Sequence, residues 1–499
     1  MRSTEVVVVG AGVGGLSAAM LLAARGIPVR VIEARDEVGG KLRQVRVGDT
    51  GIDAGPTVMT MRWVFDELFQ RCGLDLDDRL VLTRAERIAR HAWCDGASLD
   101  LYSDEQRSAD SIGRLSGAAE ARGFLAFSRR AREIYQTLEC TFLRAPKPSP
   151  FSLTANTIRT QGLRGVNGIL RIAPYATLWS ALGRYFRDTR LRQLFGRYAT
   201  YCGSSPFQCP ATLMLVAHVE HQGVWLVEGD MQQLALTLAR SATELGARIE
   251  LGRRVSRIEL RGGRIGGIRT DDDQWHRADA VICNADAAAI AAGCLGDGIR
   301  ACVPPVTAAR RSLSAVTWNL HARTRGFPLL RHNVFFSDDY RAEFESIFEH
   351  RQLPRQPTVY VCAQDREQCQ EPTSSDRERL LCLVNAPAIG SSGPMCAAEL
   401  DACARAAFGT LTRCGLQIEH EDNHSHVTTP YEFSRLFPGT NGALYGAVSH
   451  GWQGSFRRPD TKTRIPGLYL AGGSTHPGPG VPMAALSGVM AAQHLLAEL

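Results

Sequence analysis

The sequence predicts an α/β fold with an α+β region inserted into it. Three observations carry that expectation. Four consecutive valines, Val6–Val9, run into the turn Gly10-Ala11-Gly12-Val13-Gly14-Gly15 and then into a small-residue stretch ending near Ala24. Residues 225–290 and 440–499 repeat this style of short apolar strands, glycine turns and small-residue helices, whereas the stretches between them do not. The 499 residues, 44% hydrophobic and 22% charged, have the balance of a globular chain. That composition excludes disorder, collagen-like repeats and a polytopic membrane protein.

Taken in order, Val6–Val9 reads as a buried parallel strand and the glycines as a tight turn into a helix. The nineteen uncharged residues Val6–Ala24 would pass a membrane-span window, but the glycines break them into strand, turn and helix. Glu5 stands where a signal peptide would be basic, so neither a signal nor a spanning helix is expected. Gly26 closes the helix and Val29–Glu33 forms the next strand, completing a βαβ start. Residues 105–200 read as largely helical. Met231–Leu245 reads as a helix, with Arg248–Leu251 and Val255–Leu260 as strands. Gly262-Gly263 turns a hairpin into Ile265–Thr270, and Ala280–Cys283 is a further buried strand. Region 300–430 mixes strands (Thr358–Ala363, Leu380–Ala386) with a helix near Ala397–Arg413. Gly467–Ala471 returns to a strand, followed by a glycine-rich turn and a helix toward Leu499. The expected organisation is a discontinuous domain of 1–75, 225–290 and 440–499, and a substrate- and membrane-facing domain of 76–224 and 291–439.

The turn is GxGxxG between a strand and a helix. Gly10 permits the turn, Gly12 admits a pyrophosphate to the backbone, and Gly15 allows close helix–strand packing. Free N–H groups and the helix dipole favour the negative charge there. Glu33, at the end of the second strand, is placed to hold a ribose hydroxyl. Gly39-Gly40-Lys41 follows six residues after Glu33, and then Asp53-Ala54-Gly55-Pro56-Thr57-Val58. This extended pattern resembles the flavoenzymes of the glutathione reductase and amine oxidase type, which implies FAD bound on a Rossmann-like domain. By that resemblance Gly39, Gly40 and Lys41 line the flavin and its phosphates, and Gly55, Pro56, Thr57 and Val58 pass near the ring. Lys41 replaces an arginine common in the family, so its contact would be a point charge. Val255 matches the residue whose backbone meets the adenine. Gly472, Gly473, Gly480, Val481 and Met483 match a second flavin contact at a helix N-terminus. No second intact GxGxxG is present, so no dedicated NADPH domain is expected.

Within that group, Asp53–Thr60, Phe65–Phe69, Gly223–Gly229 and Tyr469–Met483 resemble the bacterial carotenoid desaturases related to phytoene desaturase. The 53–60 stretch and the Gly472–Met483 ending are most similar to the 1-hydroxycarotenoid 3,4-desaturases. Asp230 departs from the glycine usual in relatives. The resemblance implies hydride transfer to flavin from an acyclic 1-hydroxy or 1-methoxy carotenoid, with quinone or oxygen as final electron acceptor. Phytoene desaturase is the alternative within the family. An amine or porphyrinogen oxidase is the alternative enzyme class, and a flavin-free prenyl binder of the Rab-escort type the non-enzymatic one. Intact glycines at 10, 12, 15, 39 and 40 argue against the last. No catalytic acid or base is assignable; His218, His221 and His476 read as structural.

Other signals are weaker. His420–His424 matches HExxH, but the motif needs a helix and Gly415 has already closed one, so no metal is expected. Fourteen cysteines contain no CxxC, and Asn423-His424-Ser425 is a sequon without a secretory signal. Net charge is +6, too small to suggest nucleic acid. Its placement is uneven: residues 151–200 hold eight arginines and one acid. Interleaved Leu, Trp, Tyr and Phe make this stretch a candidate interfacial surface on anionic lipid, at the cytoplasmic side of a bacterial inner or photosynthetic membrane.

Overall fold

The structure, a computed structural model, describes residues 4–148, 176–366, 377–419 and 421–499. Its first layer is a five-stranded parallel sheet in the spatial order Leu468–Leu470, Ala280–Cys283, Val6–Val9, Val29–Ile32 and Arg248–Glu250. Val6–Val9 is central and buried on both faces, which is why it is continuously apolar. Alternation then divides its side chains. Val6 and Val8 face a core with the helices Val13–Ala23, Gln232–Glu244 and Val481–Leu496. Val7 and Val9 face Ile258, Ile265 and Ile268 of a three-stranded antiparallel layer, Val255–Arg261, Arg264–Thr270 and Trp275–Arg277. Helices Val13–Ala23 and Val481–Leu496 cross so closely that a Cβ on Gly488 would lie 1.9 Å from the Gly14 carbonyl oxygen. Only glycine fits there.

The second layer is an eight-stranded mixed sheet centred on Ser314–Gly326 and Glu378–Ala386. One face carries helix Ala397–Arg413, with Trp318, Leu320, Leu380 and Cys382 packed against Cys403, Ala407 and Leu411. The opposite face presents Thr317, Thr358, Tyr360, Leu381, Leu383 and Asn385 to a large cavity. Helices and turns of Ala118–Leu143 and Leu178–Gln222 roof that cavity.

Several expectations change. The hairpin pair Arg87–Ala92 and Ser98–Tyr102 and the thirteen-residue strand Ser314–Gly326 were not expected from the sequence. The long strand is masked by buried polar residues, Thr317 and Asn319, on its inner face. The interfacial reading of 151–200 is corrected where it can be compared. Residues 149–175, including Arg159, Arg164 and Arg171, lie outside the described residues. In 176–200, Leu178, Leu182, Phe186, Leu191, Leu194 and Phe195 are buried with Phe124 and Phe127, so the apolar face meets the protein's own core. Arg190 pairs with Asp188 and Asp95, and Arg192 donates to the Phe186 carbonyl; Arg184 and Arg187 are exposed. His420 lies outside the described residues; Asp422–His424 forms a single 3-10 turn after the strand Leu416–Glu419. No described helix is long and apolar enough to cross a membrane.

Candidate functional site: a cavity joining both layers

The cavity, about 1190 Å³, runs from the C-terminal edge of the parallel sheet to the inner face of the mixed sheet. It exceeds the roughly 300–1,000 Å³ typical of a single-ligand pocket. Every residue expected at the cofactor site lines it except Gly15. Gly15 lies beneath the turn, where a Cβ would come 2.2 Å from the Gly10 carbonyl oxygen, so its role is packing.

The first end of the cavity is built for an anion. Helices Val13–Ala23 and Val481–Leu496 both begin at a glycine, Gly12 and Gly480, without a side-chain cap or an acid in the first turn. Their free amides therefore face the cavity unneutralised. Gly12 and Gly40 approach each other so that a Cβ on Gly40 would meet the Gly12 Cα at 3.2 Å. Glu33 accepts hydrogen bonds from the Ala11 amide at 2.7 Å and the Arg35 amide at 3.0 Å, fixing its carboxylate beside the turn. Val255 opens its strand at this same end.

Arg254 lines this region beside Val255, as do four further cations, Arg35, Lys41, Arg43 and Arg458. Burial pulls all four below their ordinary pKa, Arg43 to about 10. Lys41 donates to the Leu444 carbonyl at 2.6 Å and lies 3.9 Å from Asp286, so its charge is already shared. Arg458 is 2% exposed and donates to the carbonyls of Tyr445, Gly473 and Ala447. This excess of buried positive charge fits a pyrophosphate. Asn284 lies with its carboxamide over Gly12, Gly14 and Gly472; its buried, unpartnered Oδ1 is an acceptor and suits a hydroxyl of the dinucleotide, not its phosphates.

Sequence reasoning missed Arg458, Asn284 and Asp53. Arg458 looks like any other arginine in an arginine-rich chain. Asn284 had a usable signal, because it directly follows a buried strand of the parallel sheet, where ligands of such folds collect. Asp53 stands in the 53–60 motif, where the resemblance gives it no role of its own. Its carboxylate accepts from the Met231 amide at 2.7 Å and from Gln44, and its carbonyl from Asn319 and Gln364. It joins the two layers. Asp230, at φ 80°, adds ion pairs to Arg331 and Arg379 across the same junction. Those pairs account for a non-glycine residue in left-handed backbone.

The second end is apolar, walled by residues such as Leu213, Val216, Val219, Leu381 and Leu383, with one polar cluster around Arg197 and Tyr360. Among the described residues no carboxylate lines this end, Glu220 standing behind Tyr201, and no histidine lines the cavity. His476 hydrogen-bonds the Ala145 carbonyl at 2.9 Å, His221 the Ala217 carbonyl at 2.7 Å, and His218 packs on Tyr135.

Residues 13–496 match the family model described as flavin containing amine oxidoreductase. The chain belongs to that family. The cofactor is FAD. A hydroxyneurosporene desaturase from Rubrivivax gelatinosus is 50% identical over 100% of this chain and 94% of its own length. Another from Cereibacter sphaeroides is 42% identical over 99% of this chain and 98% of its length. A 1-hydroxycarotenoid 3,4-desaturase from Flavobacterium sp. is 28% identical over 97% of each chain. Within the flavin-containing oxidoreductases the chain therefore groups with the bacterial carotenoid desaturases. Putrescine oxidase shares the fold, with a TM-score of 0.60 at 16% identity over 99% of each chain.

Proposed function

We propose that this enzyme introduces a C-3,4 double bond into an acyclic carotenoid carrying a 1-hydroxy or 1-methoxy end group. The names of the relatives at 50% and 42% identity suggest the substrate class. The observation that carries the reading is the second end of the cavity: apolar walls, a fixed guanidinium and, among the described residues, no lining carboxylate. A polyene is at home there, whereas an ammonium substrate would meet Arg197 already occupying the tyrosine faces, 5.5 Å from the Tyr201 and Tyr360 ring centroids. This weighs against an amine oxidase.

In this reading Gly10, Gly12, Glu33, Gly39, Gly40 and Lys41 hold the dinucleotide half of FAD, with Asn284 and Arg458 beside them. Val255 offers backbone to the adenine. Gly55, Pro56, Thr57 and Val58, and Gly472, Gly473, Gly480, Val481 and Met483, surround the ring. FAD, when bound, accepts a hydride from the substrate, and the accompanying proton goes to a base or water. The protein's own contribution is to hold the polyene in register and exclude bulk water. Residues 1–75, 225–290 and 440–499 form the cofactor domain, and 76–224 with 291–439 the substrate domain.

Because a carotenoid resides in lipid, we place the enzyme on the cytoplasmic side of a bacterial membrane, engaged through the exposed Arg184 and Arg187 together with Arg159, Arg164 and Arg171, and passing electrons to quinone or oxygen. The deciding experiment incubates purified enzyme with hydroxyneurosporene, rhodopin or phytoene and analyses the pigments. Desaturation of the hydroxylated substrates is expected; conversion of phytoene alone refutes the proposal. Changing Arg184 and Arg187 together with Arg159, Arg164 and Arg171 to Gln should lower binding to anionic liposomes while flavin content stays. Unchanged binding removes the membrane surface from the reading.

A further inference from the structure

The substrate end of the cavity holds a polar cluster that dehydrogenation of a hydrocarbon does not need. Thr57 Oγ1 lies 2.7 Å from the Tyr360 hydroxyl, which lies 2.8 Å from His332 Nδ1. Thr57 and Tyr360 line the cavity; His332 stands behind them, 4% exposed. Arg197 lines the cavity between the Tyr201 and Tyr360 rings. Tyr201 is held by its hydroxyl donating to Glu220, which also accepts from Tyr198 at 2.7 Å.

The direction of this hydrogen-bond chain follows from its buried end. Burial, with Arg331 and Arg197 nearby, pushes the His332 pKa down to about 3, so the ring is neutral and carries one N–H. Its Nε2 is buried without a partner. An orphaned N–H is rarer in proteins than an orphaned acceptor, so the proton belongs on Nδ1. His332 then donates to Tyr360, Tyr360 donates to Thr57, and the Thr57 hydroxyl is left to donate into the cavity. Arg197 has only donors. Thr57 and Arg197 together therefore ask for an oxygen lone pair on the ligand.

Resting on the desaturase reading above, we infer that Thr57, backed by Tyr360 and His332 and flanked by Arg197, is the subsite that binds the C1 oxygen of the substrate. Thr57 belongs to the Gly55–Val58 segment assigned to the flavin ring. C1 is separated from C3 only by C2, so an oxygen held at Thr57 sets the C3–C4 bond beside the ring. The subsite thus selects the bond as well as the end group. Because it donates, it accepts an alcohol and a methyl ether alike and discriminates against a hydrocarbon end. Thr57 and Arg197 are specificity residues; Tyr360 and His332 are positioning residues.

The test uses FAD-loaded enzyme with 1-hydroxyneurosporene, its 1-methyl ether and neurosporene. Thr57→Val and Tyr360→Phe should each lower the kcat/KM preference for either oxygenated substrate over neurosporene by about 10- to 100-fold. Flavin absorbance checks that the variant is intact; if Tyr360→Phe loses flavin, the isosteric Thr57→Val decides. An unchanged preference in flavin-replete Thr57→Val overturns the inference. A long-chain 2-methylalkan-2-ol, compared with the matching alkane, provides a second readout through the flavin spectrum. Tighter binding of the alcohol, lost in Thr57→Val, supports the subsite even if the wild type desaturates no carotenoid, an outcome that refutes the reaction alone. Desaturation without any preference for the alcohol refutes the subsite alone.

Discussion

Asp53→Asn removes a buried charge while keeping the side chain's shape. Asp53 is 3% exposed, and its carboxylate has two hydrogen-bond donors but no directly paired cation. Burial first, and then the Asp230 carboxylate, raise its pKa from 3.8 to about 6. A shift of roughly two units corresponds to about 3 kcal/mol. A raised carboxyl pKa means that the fold favours the protonated form. Its contribution is fully present below about pH 4 and is lost as pH rises through about 6. Asn carries no such penalty at any pH, and rotation of the Gln44 amide lets it receive the new N–H. Wild type and Asp53→Asn should match near pH 4, and the variant should be more stable by up to about 3 kcal/mol at pH 8. For a chain of 499 residues unfolding in one step, that is about 3 °C in Tm. The assay is thermal unfolding of the FAD-loaded protein across pH 4–8, followed by flavin fluorescence. A variant that melts below wild type at pH 8, or a difference independent of pH, would refute the reasoning.

Three further outcomes are expected. Asp230→Asn leaves Arg331 without its carboxylate and Arg379 with Asp365 alone, costing about 3 kcal/mol in a urea titration, and lowers the Asp53 pKa, shrinking the pH dependence above. Gly15→Ala places a methyl 2.2 Å from the Gly10 carbonyl oxygen, and the displaced turn should give a lower flavin-to-protein ratio by absorbance. Arg458→Met strips hydrogen bonds from three part-buried carbonyls, costing about 3 kcal/mol and raising the FAD dissociation constant, measured by equilibrium dialysis.

The parallel layer was legible because its signals are local. Val6–Val9 must be buried on both faces, and Gly10, Gly12 and Gly15 have steric reasons visible in the spacing. The hairpin at Gly262-Gly263 and the strand Ala280–Cys283 followed for the same reason. The mixed sheet was less legible. Ser314–Gly326 turns polar residues inward, where Asn319 bonds the Asp53 carbonyl, so its alternation does not separate inside from outside. Residues 176–200 misled in the opposite way, since aromatic side chains interleaved with arginines describe a core helix as well as a lipid-facing one. Thr57, Tyr360 and His332 are separated by 303 and 28 positions along their two contacts, and no window of sequence brings them together.

The approach of Gly488 to Gly14 also bears on how the protein is made. The parallel sheet takes strands from residues 6–9 and 468–470, and the helix beginning at Val481 closes over the one beginning at Val13. During synthesis the first βαβ unit must wait, with apolar surface uncovered, until the helix Val481–Leu496 has left the ribosome. FAD loading is thus a late event, and a nascent chain stalled before residue 480 would be prone to aggregate however much cofactor is supplied.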